Sequence, residues 1–348
     1  MTEAVALQPL LARLALGAEL TEAEAESLFE AIVAGSAFPA QIGAGLMALA
    51  QRGETAGELT AAVRVMRRHM LPVAGDPEAI DCCGTGGDGH ATLNISTAVA
   101  FVVASCGVPV AKHGNRAASS RSGATDVLGA LGIGIASPAQ AEQMLKRHGL
   151  TFMFAPDHHP AMKAVGTIRR ELGFRTLFNL AGPLSNPAGT EKQLVGVYDP
   201  RWLMPVAEAL QRLGSTSAWV VHGSDGLDEL TITGPSEVAV LTAGSIARRT
   251  VTPEDAGLPR AALADIQGGD PAYNAAALLR LLDGEASPYR DIVLLNAAAA
   301  LVVAGKAPDL KAGVALAADA IDGGRARALL AAMKQDMAGA GSASKVGA

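Results

Sequence analysis

Acidic side chains are missing where this chain is richest in glycine and hydroxyl groups: from Gly89 to Thr125 there is no Asp or Glu. Aromatic residues make up only 3% of the 348 residues, and there are only three cysteines. Cys82, Cys83 and Cys106 lack metal-ligand spacing, which argues against a zinc framework and fits a reducing cytoplasm. No apolar run reaches membrane-spanning length, and no basic stretch leads into an apolar one near the start, so we expect a cytoplasmic protein without a membrane partner. The most apolar stretch, 291–304, is too short and carries Asp291 and Asn296; it reads as a core helix. Excess positive charge is lacking too. A net charge of −6 argues against a nucleic-acid partner and makes any basic cluster a local site. The glycine-rich region also lacks G-x-x-x-x-G-K-[ST], so it is not a Walker loop.

What is present centres on residues 81–125. The acid-free span holds Lys112, Arg116, Arg121 and two histidines among many small and hydroxyl residues. Glycine exposes backbone N–H groups and hydroxyls donate hydrogen bonds, so the stretch reads as a phosphate-binding surface. The plainer alternative is a glycine-rich turn followed by a solvated basic loop. Two such segments flanking one apolar βα unit favour the site. Gly84-Thr85-Gly86-Gly87-Asp88-Gly89 fits G-x-G-x-x-G, but a dinucleotide fold wants an acid about 20 residues further on, and none occurs before Asp126. Asp88 beside a phosphate cradle requires a sugar hydroxyl or a divalent cation between the charges. Asn94, Ser96 and Thr97 stand where a helix begins; they either aim at a ligand or merely cap the helix.

Further along, Asp228-Glu229 follows a strand-like segment, Ala218–His222. Adjacent carboxylates at a strand end suit Mg²⁺ held partly through waters and substrate phosphates, although a surface pair would look the same. Asp157-His158-His159-Pro160 has no metal spacing, so His159 is a pocket wall or a satisfied core histidine. Of Arg169 and Arg170, one could bind a carboxylate; the alternative is a solvated helix face. Residues 178–187 read as a turn-rich segment.

The expected fold class is α/β: a small all-helical N-terminal domain, then a larger α/β domain with a mainly parallel central sheet. Residues 1–72 form the helical domain, with capping boxes at Thr21/Glu24 and Thr55/Glu58 and an apolar face of Ala25, Leu28, Phe29 and Ile32. From 73 to 337, strand-like and helical segments alternate, which predicts a ligand site at the strands' C-terminal ends. Residues 338–348, rich in Gly, Ser and Ala, form a flexible tail. The helical layer calls for burial against the rest of the chain or a second copy.

Together these motifs resemble the anthranilate phosphoribosyltransferase family, within the nucleoside phosphorylase/phosphoribosyltransferase superfamily. The resemblance covers almost the whole chain. It rests on Gly84–Asp88, Asn94–Thr97, Lys112–Arg116, Ser119–Gly123, His159–Lys163, Arg169–Gly173, Asn179–Pro187 and Gly226–Leu230, in the family's order. It implies transfer of a phosphoribosyl group from 5-phosphoribosyl 1-pyrophosphate (PRPP) to the amino group of anthranilate, with Mg²⁺, in tryptophan biosynthesis. It implies a homodimer through the helical domain, which a segment around 160–190 joins in space.

By motif, the PRPP site would comprise Gly84, Gly87, Asp88, Thr92, Asn94, Ile95, Ser96, Thr97, Lys112, His113, Gly114, Asn115, Arg116, Ala117, Ala118, Ser119, Ser120 and Ala124. Gly84, Asn115, His159, Arg169 and Pro183 would bind anthranilate, and Ser96, Asp228 and Glu229 the metal. No acid–base residue is implied, because an aniline nitrogen is neutral at pH 7. Three departures stand out: Gly129 replaces a usual Glu, and Ala117 and Ala118 replace larger or hydroxylic residues. A pyrimidine nucleoside phosphorylase resembles the same architecture, but Gly84–Asp88 with Lys112–Arg116 favours the transferase.

Overall fold

A computed structural model describes residues 7–115 and 122–343. Four helices come first: α1 (Leu7–Ala15), α2 (Glu22–Val33), α3 (Pro39–Arg52) and α4 (Ala56–His69). Thr21 and Thr55 accept hydrogen bonds from the Glu24 and Glu58 N–H groups, and both glutamates bond back, so the two capping boxes form as expected. Ala25, Leu28, Phe29 and Ile32 are all buried. Glu58 is buried as well, where it accepts from the Leu20 and Thr55 N–H groups and pairs with Arg52.

The remaining elements alternate. They are β1 (Ile80–Gly84), α5 (Ile95–Ser105), β2 (Val110–Gly114), α6 (Ala124–Ala130), α7 (Pro138–His148), β3 (Leu150–Phe154), α8 (Ala155–His158), α9 (Met162–Leu172), α10 (Leu177–Leu184), β4 (Lys192–Gly196) and α11 (Leu203–Arg212). Then follow β5 (Ser217–Gly223), β6 (Ser236–Thr242), β7 (Ser245–Val251) and four helices, α12 (Pro271–Leu282), α13 (Pro288–Val303), α14 (Leu310–Asp322) and α15 (Arg325–Ala343). The seven strands are ordered β3-β2-β1-β4-β5-β6-β7. β1 to β5 are parallel, and β6 and β7 extend the sheet antiparallel. The fold is therefore the expected α/β class with a mainly parallel sheet.

Period-two alternation sends neighbouring side chains to opposite faces. Cys82, Leu194 and Val221 pack with α5 and α13, while Cys83, Val195 and Val220 pack with α2, α4 and α11. Both cysteines are thus core residues, and α13 is the core helix foreseen for 291–304. One expectation is corrected. The segment at 178–187 is not only turns, because Leu177–Leu184 is helical, with Pro183 in the last turn. At the chain's end α15 runs to Ala343, into the stretch expected to be a tail; 344–348 lie outside the described residues. The helices α9 and α10 pack against α3, and α10 also against α4, so the 160–190 segment does meet the first helices.

From β1 the chain runs outward to β2 and β3, then returns to place β4 on β1's other side. This is a strand switch point, where a crevice opens at the C-terminal strand ends. Its floor is a pair of glycines, Gly84 opposite Gly196. A Cβ on Gly84 would lie 2.2 Å from Asp228 Oδ2, and one on Gly196 1.5 Å from the Asp228 carbonyl oxygen. Asp228 therefore rests directly on backbone. Gly196→Ala must push that backbone away, and urea denaturation is expected to show a loss of about 1–3 kcal/mol. Gly129→Ala is the contrasting variant: among the described residues beyond its own turn of α6, no atom lies within 4 Å of the new methyl, and a gain of about 0.5–1 kcal/mol is expected. Equal midpoints for the two variants would refute the packing argument.

Candidate active site

The loop after β1 carries three left-handed glycines, Gly86, Gly87 and Gly89, with φ of 67°, 81° and 81°. These conformations are costly for a side-chain-bearing residue and turn backbone donors toward the crevice. The Gly86 N–H donates to Asp228 Oδ2 at 2.7 Å, so the loop closes onto a carboxylate 142 residues away. Asp88 lies near the same carboxylate and receives the His90 N–H at 3.2 Å. Glu229 follows Asp228 and is reached by the Ser96 backbone N–H at the start of α5.

These acids are only half-buried, yet they are poorly solvated. Burial and the nearby Asp88 raise Asp228 to about 6; burial and Asp228 raise Glu229 to about 8. Lys112 is the cation that offsets them. It is buried and donates to the Cys82 carbonyl at 2.5 Å. Two poorly solvated carboxylates with so little compensation fit a divalent cation. Among the described residues no three His, Cys, Asp or Glu side chains converge. One or two carboxylates completed by water and substrate phosphates is an arrangement that Mg²⁺ favours.

The α5 N-terminus does not behave as a simple cap. Asn94 is the N-cap residue, but its side chain makes no capping bond. It donates to the Ser122 carbonyl at 3.2 Å and accepts from Asn274 at 2.8 Å, while Tyr289 donates to the Asn94 carbonyl at 3.1 Å. Thr97 Oγ1 is buried with no hydrogen-bond partner among the described residues. Ile95 contributes differently: its side chain is in the core and its N–H bonds the Leu93 carbonyl. Thr92 bridges Gln267, and Ala124 begins α6 close to Gly114. Asn115 is exposed at the end of β2. Arg116, Ala117, Ala118, Ser119 and Ser120 lie outside the described residues.

The opposite wall comes from α8, α9 and α10. His113 Nδ1 donates to the Gly182 carbonyl at 3.2 Å and His159 Nε2 to the Ser185 carbonyl at 3.1 Å; their rings are 5.2 Å apart. Burial, with neighbouring histidines, lowers His113 to about 3 and His159 to about 4, so both are neutral at pH 7. Pro183 is buried beside them, its carbonyl accepting from Gln193 at 3.0 Å. The two arginines differ in setting. Arg170 is exposed and bonds Thr167, whereas Arg169 is half-buried and donates to Asn179 Oδ1 at 3.0 Å. Burial lowers the Arg169 pKa and no acid among the described residues offsets it, which suits an incoming carboxylate. Sequence reasoning missed Arg175, Tyr198, Asn274 and Tyr289. Only Asn296 had a signal, as the amide inside an apolar run; it clasps the Leu230 backbone, accepting at 3.0 Å and donating at 2.8 Å.

Comparison with known proteins agrees with this geometry. The chain matches the glycosyl transferase family, helical bundle domain, over residues 8–70, and its a/b domain over 76–327. An anthranilate phosphoribosyltransferase of Methylocella silvestris is 58% identical over 326 residues, 93% of each chain. The crystal structure of anthranilate phosphoribosyltransferase from Thermus thermophilus superposes with a TM-score of 0.89 at 44% identity, covering 94% of this chain and 98% of that one. The Saccharomyces cerevisiae enzyme in complex with PRPP and Mg gives 0.88 at 26% identity, covering 96% and 98%. With both domains matched and such identity over nine-tenths of its length, the chain belongs to the anthranilate phosphoribosyltransferase family.

Proposed function

We infer that the chain does what its family is named for. It transfers the phosphoribosyl group of PRPP to the amino group of anthranilate, giving N-(5-phosphoribosyl)anthranilate and pyrophosphate, in tryptophan biosynthesis. One observation carries this reading: the glycine loop and the Asp228–Glu229 pair meet at the β1/β4 switch point. The loop N–H groups, Thr97 and Lys112 hold the phosphates. Asp228 and Glu229, with Ser96 close by, hold Mg²⁺, which neutralises charge on the departing pyrophosphate. Arg169 takes the anthranilate carboxylate, and His159, Pro183 and Asn115 shape its site. Fixing the neutral amine behind C1 supplies the rest of the catalysis by placement. No general base is required.

The same reading extends to organisation and setting. A division near residue 72 separates the helical domain from the α/β domain. Exposed Leu16, Phe38 and Met47 on the helical layer, 87%, 72% and 49% accessible, support a homodimer through that layer. Buried free thiols support a reducing cytoplasmic setting.

Anthranilate fluorescence tests the reaction: it should fall only when PRPP and Mg²⁺ are both present, and a persistent signal would reject the acceptor. Arg169→Ala should raise the anthranilate KM by about one to two orders of magnitude, the worth of a charged hydrogen bond, with little change for PRPP. Equal changes for both substrates would place Arg169 elsewhere. Asp228→Asn with Glu229→Gln should weaken Mg²⁺ binding in calorimetry, and an unchanged isotherm would put the metal at another site. The pH dependence has a definite sign. Both acids are raised, to about 6 and about 8, so the folded chain binds more protons than the unfolded one between these values and the ordinary carboxylate range. Without metal, stability should therefore fall as pH rises through that window. Mg²⁺ affinity should rise from pH 6 to 8 with proton release, and a flat profile would contradict the burial of the pair.

A further inference from the structure

Arg175 lies in the connection between α9 and α10. It is exposed, and its guanidinium sits 4.0 Å from the centroid of the Tyr198 ring. A Cβ on Gly87 would lie 2.9 Å from one of its terminal nitrogens, so the guanidinium rests against the glycine loop. The residue next to Gly87 is Gly86, whose N–H is committed to Asp228. Adjacent residues of one loop thus touch an acid, Asp228, and a cation, Arg175.

Two features separate Arg175 from a surface arginine. Asp88 and Asp228 border the same loop, yet the guanidinium is stacked on an aromatic ring rather than paired with either acid. A cation held by a ring keeps its in-plane N–H donors available, and those donors match phosphate oxygens in a bidentate geometry. Tyr198 is itself fixed near the loop, because its N–H donates to Thr85 Oγ1 at 3.1 Å.

We propose that Arg175 is a further substrate-binding residue, donating to the pyrophosphate end of PRPP beside the glycine loop, with Tyr198 as its resting place in the free chain. This rests on reading the glycine loop as the phosphate cradle. As the C1–O bond breaks, its electron pair goes to the leaving pyrophosphate oxygen, and the guanidinium is positioned to take up that charge. The arginines divide the two substrates between them, Arg169 for the acceptor's carboxylate and Arg175 for the donor's diphosphate.

The test is calorimetry of the full chain with Mg²⁺ and PRPP, and with inorganic pyrophosphate, alongside steady-state kinetics. Arg175→Gln should weaken both ligands roughly 10- to 100-fold, as loss of a charged hydrogen bond does, and leave the anthranilate KM unchanged. Arg175→Lys should recover part of the loss. Tyr198→Leu removes the ring without removing the cation, so PRPP should bind it as tightly as the unsubstituted chain or more tightly. Unsubstituted chain that binds neither ligand overturns the loop assignment, and this proposal with it. Normal binding by the unsubstituted chain and by Arg175→Gln overturns the proposal alone. Equal losses in Arg175→Gln and Tyr198→Leu also overturn it, because the pair would then be a structural strut.

Discussion

A carboxylate resting on bare backbone governs the crevice. Asp228 reaches the floor only because the residues facing each other across β1 and β4 have no side chains. Once there, it takes the Gly86 N–H and fixes the start of the phosphate loop. The following segment is held from below, where Asn296 on α13 bonds Leu230 through both its N–H and its carbonyl. The same helix sends Tyr289 to the Asn94 carbonyl at the start of α5. One core helix therefore sets the spacing between the acidic pair and the Asn94–Thr97 turn, so precision at the site comes from a rigid element.

A second buried carboxylate organises the neighbouring strands. Asp81 on β1 accepts from Asn186 at 2.7 Å and from the His113 N–H at 3.2 Å. Asn186 also donates to the Ala111 carbonyl and accepts the Ala188 N–H. These bonds join β1, β2 and the segment after α10. Burial raises Asp81 to about 6 even with Lys112 and Asn186 opposing it. Lys112 thus stands between Asp81 and the acidic pair as the shared compensating charge, which explains a lysine at a position that is otherwise core.

Much of this was legible in the sequence where the signal was local. Capping boxes need only residues three apart, and the glycine loop announced itself through its clustered glycines and the absence of acids after it. The sequence failed where tertiary context decided the outcome. The segment around α10 reads as turns because Asn, Gly, Pro and Ser dominate it, but burial of Leu177, Phe178, Leu180 and Leu184 stabilises the helix. Lys192 and Gln193 are polar residues in β4, a central strand whose glutamine is buried and bonded to the Pro183 carbonyl, so its sequence carries little strand signal. Arg175 and Tyr198 have no sequence relation at all; only the return of the chain to β4 brings them together.

The charge distribution across the crevice follows from these choices. Its donor side gathers acids, Lys112 and the loop N–H groups. The acceptor side is nearly free of mobile charge, because burial keeps His113 and His159 neutral and their ring N–H groups are spent on backbone carbonyls. That neutrality has a chemical consequence. Loss of pyrophosphate leaves positive charge on the ribose ring, and a protonated imidazole beside it would oppose the transition state. A strong base there would have no work to do on an amine that is already neutral. The cation the acceptor side retains, Arg169, is held by Asn179. Under the proposed function this separates binding from charge development: Arg169 would hold the anthranilate carboxylate, and the reacting carbon would meet a wall that carries no charge of its own.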